Sequence, residues 1–462
     1  MLPKNHTIYL LLMLLVSAVF SQDLTPESSE NVVDSLIQAR KEKYEATLKF
    51  IQEMRRRREK DPQRYADSVA QVKSDRRFKE AQKRFADYQN QDLSNLEELD
   101  LSGGRLKSIP KWVYQAKSME VLILDYNSIS RLPKNLNDLP TLKRIYWRYN
   151  ELENGKLKAP RLDSIRKLDI SGNGLEKLPR IHRLKNLEEL VVENNSLTKL
   201  PTWRGRRLKS LKELDLSQNP LTIDRRWYGL LDHIEILRLN KCNIREVHPN
   251  FYRMDGLKEL LIQVNELEQI PPGISALIQL NKLSFYKNNL SSLPDDFYEL
   301  DSLEIIDLYY NDFESISSRI SNLKNLRILY LSFNELYDIP EEIGELSNLE
   351  ELYVHHNRLS EIPKKYEELK NLKVFHIQNN YIPDFPDQVL SMENLIDLDI
   401  SETDIRTIPH EITGLKLDNF YWRNLDINLN DLDHEETLSA LMQLMENGTN
   451  VVPSVSIATM PD

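Results

Sequence analysis

Aliphatic residues recur along most of this chain at a fixed spacing, in the pattern L-x-x-L-x-L-x-x-N-x-L-x-x-L-P, from Leu96 onward. The Asn position repeats every 23 residues, with one step of 22 and one of 24. The residues at this position are Gly104, Asn127, Asn150, Asn173, Asn195, Asn219, Cys242, Asn265, Asn288, Asn311, Asn334, Asn357, Asn380 and Thr403. Alternate residues of L-x-L point the same way from a short strand. Each copy therefore predicts one strand with an inward apolar face, and successive copies must stack to bury it.

Fourteen registered copies of this pattern resemble the leucine-rich repeat superfamily, and in detail its 23-residue class with L-P-x-x-I/L after the strand. The chain is similar in this respect to Ras-pathway scaffolds and to plant intracellular Ras-group leucine-rich repeat proteins. The resemblance covers residues 93–427, including a degenerate fifteenth copy that begins at Leu417. It implies an α/β solenoid, a horseshoe with a parallel β-sheet on its concave face. It says little about function, because the superfamily shares a shape and not a partner.

Three features of the repeat have a physical reading of their own. The Asn side chain can bond backbone groups of the turn that burial would otherwise leave unpaired. Cys242 takes this position in one copy, and we interpret it as a core thiol. The Pro after the last Leu ends strand pairing and predicts an extended turn on the convex side.

The segments that flank the repeats predict helices. Residues 22–92 predict a helical hairpin, with helices from Asn31 to about Lys60 and from about Gln63 to Asn90. This hairpin either caps the solenoid or forms a coiled coil with a second chain, which would make a homodimer through residues 22–92. Its Arg55–Arg58 run is interpreted as a solvated helix end, with contact to an anionic membrane or acidic partner as the alternative.

Residues 428–462 predict a short C-terminal capping helix and a tail. The helix is placed at Glu435–Glu446, and the tail after Gly448 is expected to be loose. The apolar residues expected to face the last repeat are Leu438, Leu441, Met442 and Met445.

Residues 1–21 read as a secretory signal peptide, with Lys4 before the apolar run Ile8–Phe20 and a cleavage site before Gln22. The run is shorter than the roughly 20 apolar residues of a membrane span, and an uncleaved anchor is the alternative. With Cys242 as the single cysteine, no disulfide can form within the chain. An exported protein without disulfides fits secretion by a bacterium, to the periplasm or cell surface.

The repeat pattern turns positions 3, 5 and 7 of each copy toward the concave face, counting the first Leu as position 1. A row of aromatic residues in copies nine to thirteen is typical of binding hot spots, although cross-strand stacking would also account for it. The predicted partner-binding residues of this row are Tyr286, Tyr309, Tyr310, Tyr330, Phe333, Tyr353, His355 and His376, with His356 beside them. A second zone offers Tyr146 and Arg148, together with Tyr126, Arg144 and Tyr149. Between the two lies an acidic zone of Asp169, Glu189, Glu193, Glu213 and Asp215.

Neither charge nor motifs favour nucleic-acid binding or catalysis. The net charge of −11 argues against a nucleic-acid partner, and no nucleotide, flavin or zinc-protease motif occurs. His376, Asp399 and Ser401 have the residue types of a hydrolase triad, but two of them share one strand. His355, His356 and His376 have no thiolate near them, and Asp399 is their one obvious carboxylate partner.

We therefore expect no cofactor, metal or enzymatic activity. The sequence predicts an exported module that binds a protein, with a peptide or glycan as further ligand classes. Two alternatives remain: a structural or adhesive surface protein that associates through its N-terminal helices, and an intracellular signalling scaffold.

Overall fold

A computed structural model describes residues 49, 56, 60–131, 134–152, 162–178, 181, 184–199, 208–222, 233–423 and 435–453. Their strands form one parallel sheet in chain order from β1 to β16. The strands are β1 Glu98–Asp100, β2 Val121–Ile123, β3 Arg144–Tyr146, β4 Lys167–Asp169, β5 Glu189–Val191, β6 Glu213–Asp215, β7 Ile236–Arg238, β8 Glu259–Leu261, β9 Lys282–Ser284, β10 Ile305–Asp307, β11 Ile328–Tyr330, β12 Glu351–Tyr353, β13 Val374–His376, β14 Asp397–Asp399, β15 Asn419–Trp422 and β16 Asn450–Pro453. The predicted solenoid with a parallel sheet is confirmed.

The sheet register follows the repeat length. Ile306 in β10 pairs with Leu329 in β11, which pairs with Leu352 in β12, so that equivalent residues lie side by side. These three side chains are fully buried in a core that runs along the solenoid. Burial of one such side chain stabilises the fold by about 1.5–3 kcal/mol. The core therefore fixes both the stacking of the repeats and the outward direction of positions 3, 5 and 7.

The Asn side chain of the repeat has the predicted hydrogen-bonding role. The Asn334 amide donates to the carbonyls of Leu308 at 3.0 Å and Leu331 at 2.9 Å, and its oxygen accepts from the Phe313 N–H at 3.1 Å. Cys242 takes the same place, with its Sγ 3.4 Å from the Leu216 carbonyl oxygen. Burial raises the pKa of the Cys242 thiol to about 12, as expected of a core thiol.

Short 3₁₀ helices form the convex side where the sequence predicts only an extended turn. Pro340 is extended, with φ −65° and ψ 138°, and the helix Glu341–Glu345 begins directly after it. The described 3₁₀ helices are Lys111–Gln115, Lys134–Asp138, Pro249–Arg253, Ile274–Ala276, Asp295–Glu299, Ser318–Asn322, Glu341–Glu345, Lys364–Glu368, Asp387–Ser391 and His410–Gly414. Ser317 replaces the Pro in the tenth copy, and its hydroxyl accepts from the Arg319 N–H.

The second helix of the predicted N-terminal hairpin is observed as α1, Pro62–Gln89. From Glu80 onward this helix packs on the first repeat: Ala81 is fully buried, and Arg84 donates from Nε to the Asp100 carbonyl at 2.8 Å. The Phe85 ring lies 6.4 Å from that of Trp112. The C-terminal part of α1 therefore packs against the first repeat at the edge of the core.

Two N-terminal predictions lie outside the described residues. The first is the signal peptide at 1–21. The second is the first hairpin helix with its Arg55–Arg58 run, of which the structure describes only residues 49, 56 and 60. Among the helices that the structure does describe, none has the length and apolar character needed to cross a membrane.

The C-terminal helix α2 has the predicted bounds, Glu435–Glu446, but its predicted buried face is wrong in part. Leu441 is buried, whereas the side chains of Leu438, Met442 and Met445 are exposed. The buried residues of α2 are Thr437, Ala440, Leu441 and Leu444. The Thr437 hydroxyl accepts a hydrogen bond from the Ile408 N–H at 2.9 Å, and this bond fixes the rotation of the helix.

The expectation of a loose tail after Gly448 is wrong for the residues that follow directly. Strand β16 pairs with β15 in parallel, with Val451 opposite Phe420. The Thr449 hydroxyl donates to the Leu417 carbonyl at 2.8 Å. The solenoid therefore ends with a strand that belongs to no copy of the repeat.

Candidate binding surface on the concave face

The structure brings the predicted aromatic residues together on β9–β13 and the residues just after these strands. We define the aromatic patch as Tyr286, Tyr309, Tyr310, Tyr330, Phe333, Tyr353, His355, His356 and His376. Each of these side chains is partly exposed, and Tyr310 is the most open at 39%. The patch occupies positions 5, 7 and 8 of the repeat, so it is a surface with width and not a single row.

Neighbouring rings in the patch stack on one another across strands. The ring centroids of Tyr330 and Tyr353 are 4.7 Å apart, with an interplanar angle of 15°. Phe333 lies between Tyr310 at 4.2 Å and His356 at 3.9 Å. The cross-strand stacking that the sequence raises as an alternative is therefore observed. Because these ring faces cover one another, the patch exposes mainly ring edges and hydroxyl groups on the concave face.

Position 8 has a backbone conformation that the sequence pattern does not reveal. Tyr310, Phe333 and His356 have φ of 58°, 53° and 54°, in the left-handed region that non-glycine residues seldom adopt. This conformation brings the three side chains beside the concave face, where they form the outer stack of the patch. A surface defined by positions 3, 5 and 7 alone would leave that stack out, and the sequence signal for it is an aromatic residue directly before Asn.

The histidines of the patch are held by one another and by Asp397. The Nδ1 atoms of His355 and His356 are 2.8 Å apart, and burial lowers the pKa of His355 to about 3. His376 Nε2 bonds Asp397 Oδ1 at 2.7 Å, so the expected pairing with Asp399 is wrong. Asp397 stands at position 3 of its strand and reaches the histidine diagonally.

The residues that resemble a hydrolase triad do not assemble into one. The Asp399 carboxylate accepts the Ser401 N–H at 2.9 Å, and the Ser401 hydroxyl accepts the Arg423 N–H at 2.9 Å. The histidine and the serine therefore have separate partners. Within the described part of the chain, no group of three or more His, Cys, Asp and Glu side chains is arranged to hold a metal ion.

The second predicted zone is smaller and rich in ion pairs. The Tyr146 ring lies between Arg148 and Lys167, whose cationic groups are 5.4 and 5.5 Å from its centroid. Arg148 Nε donates to Asp125 at 2.8 Å, and this hydrogen bond raises the pKa of the guanidinium. Beside it, Tyr126 and Tyr149 stack at 4.6 Å. The Tyr149 ring then covers Gly172, where an added Cβ would come within 2.5 Å of the ring.

The acidic zone is less open than the pattern predicts. Glu189 pairs with Lys167 at 2.5 Å, and Glu213 pairs with Arg238. Asp169 is buried, and burial raises the pKa of its carboxyl. Small polar residues at positions 5 and 7 are buried in the same way: Asp125, Ser171, Ser217, Ser284, Ser332 and Ser401. Strands about 4.8 Å apart bring large neighbours over a small side chain.

Comparison with known proteins finds repeat families along the chain. The family described as "Leucine-rich repeat region" matches residues 317–452, and the family described as "Leucine rich repeat" matches residues 163–221 and 255–313. Osteomodulin of Rattus norvegicus is 35% identical over 113 residues, which cover 24% of this chain and 26% of osteomodulin. Fibromodulin of Sus scrofa is 36% identical over 86 residues, which cover 18% of this chain and 58% of fibromodulin. The chain thus matches only part of the length of these relatives.

Solved structures share the fold over a larger part of the chain. A leucine-rich repeat protein of Leptospira interrogans superposes with a TM-score of 0.65 and 27% identity, over 79% of this chain and 96% of that protein. A chain of the Toll–Spätzle complex of Drosophila superposes with a TM-score of 0.59 and 22% identity, over 70% of this chain and 46% of that one, which shows the fold alone.

Proposed function

The chain belongs to the leucine-rich repeat superfamily, and on that premise we propose that it is an exported protein-binding module whose aromatic patch contacts the partner. The repeats match osteomodulin and fibromodulin only over segments that cover 24% and 18% of this chain. We therefore infer the class of partner and the face that it contacts from the concave surface of this chain, and not from these relatives.

The observation that carries the proposal is the breadth of the aromatic patch. A stack that only stabilised the sheet would need one column of rings. Here the Tyr330–Tyr353 stack at position 5 lies beside the Tyr286–Tyr309 stack at position 7, whose centroids are 5.6 Å apart. Rigid, partly exposed aromatic side chains with polar groups are enriched in binding hot spots, because they bury large area with few rotors.

Replacing Tyr309, Tyr330 and Tyr353 together by Ala tests this proposal. A pull-down with residues 22–462 identifies the partner, and titration of the purified pair then measures its affinity. We expect the triple variant to lose at least about 100-fold in affinity, since hot-spot truncations cost about 2 kcal/mol or more each and are not additive. A control variant with Ala at Tyr337 and Tyr381, which are exposed outside the patch, should bind normally. Equal binding by the triple variant would exclude the patch as the contact surface.

Export rests on the signal-like residues 1–21. The mature protein recovered outside the cytoplasm should begin at Gln22, which N-terminal sequencing shows. Recovery of the chain in the cytoplasm with residue 1 intact would instead support the intracellular scaffold.

Self-association through residues 22–92 is the remaining alternative. Val72 on α1 is 68% exposed, which leaves apolar surface on that segment. The molecular mass in solution, measured with and without residues 22–92, distinguishes a monomeric binding module from a self-associating surface protein. A full-length monomer would exclude the homodimer.

A further inference from the structure

The backbone N–H at position 7 of each repeat depends on a side chain for its hydrogen bond. The N–H at position 7 does not donate to a carbonyl of the preceding strand. A polar side chain accepts it instead, either from position 5 of the same repeat or from position 7 of the preceding repeat. The Tyr309 N–H donates to Asp307 Oδ1 at 3.1 Å, and the Gln263 N–H donates to Asn240 Oδ1 at 2.9 Å. The same rule holds for Ser102, Arg148, Ser171, Ser217, Asn240, Tyr286, Ser401 and Arg423.

Three consecutive strands in the aromatic patch break this rule. In the described structure the N–H groups of Ser332, His355 and Gln378 have no acceptor. Position 5 of each strand is aromatic, and the Ser332 hydroxyl, which precedes His355 by one repeat, does not accept the His355 N–H. Asp125 and Glu193 share this lack, but each stands alone between strands that are satisfied. Unpaired backbone donors are rare where they are buried, and of these three residues Ser332 is fully buried while His355 and Gln378 are partly exposed. Ser332 therefore requires an explanation.

The side chain of Ser332 is unpaired as well. Its hydroxyl is fully buried and has no hydrogen-bond partner, and Gln378 Oε1 is also buried without one. The other serines at position 7 are satisfied: the Ser171 hydroxyl donates to Asp169 at 2.6 Å, and the Ser217 hydroxyl accepts from Asn240 at 3.2 Å. Ser332 thus differs from its equivalents in the same fold.

Aromatic rings close over Ser332. Tyr309 and His355 stand two strands apart, a separation of about 9.6 Å, yet their ring centroids are only 5.7 Å apart. Phe333 completes the cover, 5.1 Å from the Tyr309 centroid and 5.5 Å from that of His355. Rotation of these side chains can uncover Ser332, because all three rings are partly exposed on the concave surface.

The charges near Ser332 restrict what it can bind. Positions 3, 5, 7 and 8 of β10–β13 carry two acids, Asp307 and Glu351, and no Lys or Arg. Acids repel an anionic ligand, and a cation cannot accept from N–H and O–H donors. The complementary group is therefore an uncharged acceptor. A sugar ring would need an open aromatic face, and stacking between rings covers these faces, so a peptide group fits better.

We propose that Ser332 anchors a main-chain peptide group of the protein partner, which enters beneath the Tyr309 and His355 rings and accepts from the Ser332 hydroxyl and a neighbouring N–H. The unpaired oxygen of Gln378 offers an acceptor for a peptide N–H on the same surface. This inference rests on the proposed function, because it assigns one contact within the aromatic patch.

N-methylacetamide, the smallest model of a peptide group, provides the probe. The full chain labelled with ¹⁵N-histidine gives signals from nine histidines, and substitution of each patch histidine identifies its backbone signal. We expect the His355 N–H signal to shift as N-methylacetamide is added. Ser332→Ala should weaken this binding about fivefold, the value of one hydrogen bond, whereas Ser401→Ala should leave it unchanged.

Four results would overturn the assignment, the first three of which concern the peptide probe and its charge. These three are an unmoved His355 signal, equal affinity in Ser332→Ala, and equal or tighter binding of acetate. N-acetylglucosamine binding more than about 10-fold tighter than N-methylacetamide would also overturn it, in favour of a glycan. The N-methylacetamide test can fail while the triple Ala variant of Tyr309, Tyr330 and Tyr353 still loses partner binding. That combination would keep the concave surface as the contact site and exclude only the Ser332 anchor.

Discussion

Substitution of Ser332 by Ala should stabilise the protein, although the residue is fully buried. The Ser332 hydroxyl has no hydrogen-bond partner, and an unsatisfied buried polar group costs about 1–3 kcal/mol. Removal of its oxygen leaves a small void, and the cost of this void offsets part of the stability that is gained. We therefore expect the free energy of unfolding to rise by about 1 kcal/mol.

Ser401→Ala is the matched control, since Ser401 stands at the same position three strands further along. Its hydroxyl accepts the Arg423 N–H at 2.9 Å, and loss of that acceptor should lower the free energy of unfolding by about 1 kcal/mol. Urea unfolding gives the sign of each change, and native-state hydrogen exchange localises it, because a long repeat array need not unfold in one step. A fall in stability for Ser332→Ala as large as that for Ser401→Ala would refute the reasoning.

Two further predictions concern the C-terminal cap and acid stability. Leu444→Ala should destabilise the C-terminal repeats by about 2–4 kcal/mol, whereas Met442→Ala on the exposed face of α2 should change stability by less than about 0.5 kcal/mol in the same urea assay; similar losses would contradict the observed helix rotation. Burial lowers the pKa of His355 to about 3, so the unfolded chain binds a proton below about pH 6.5 that the native protein binds only near pH 3. Stability should therefore fall as the pH drops through this window, and His355→Gln should remove that part of the loss, with an unchanged pH profile as the contrary result.

The repeat pattern predicts the sheet, its register and the Asn hydrogen bonds correctly because each is fixed by the spacing of a few residue types. Ile306, Leu329 and Leu352 can pair in register only if the chain advances by one repeat per turn. The pattern also brings the aromatic patch together, since equivalent positions on adjacent strands must be neighbours.

The errors arise where contacts outside the repeat decide the structure. The face of α2 depends on the bond between Thr437 and Ile408, and the apolar pattern of a short helix does not determine its rotation. Strand β16 has no repeat of its own, although Val451 and Val452 signal a strand. The burial of Ser332 depends on the sizes of rings two strands apart, which only the packed structure shows.

Hydrogen–deuterium exchange of the chain with and without its captured partner tests the central claim most directly. If the aromatic patch contacts the partner, protection should concentrate in residues 305–310, 328–333 and 351–356. The convex 3₁₀ helices Glu341–Glu345 and Lys364–Glu368 should exchange as in the free chain. Protection confined to these convex helices or to α1, with no change on β10–β12, would contradict the claim.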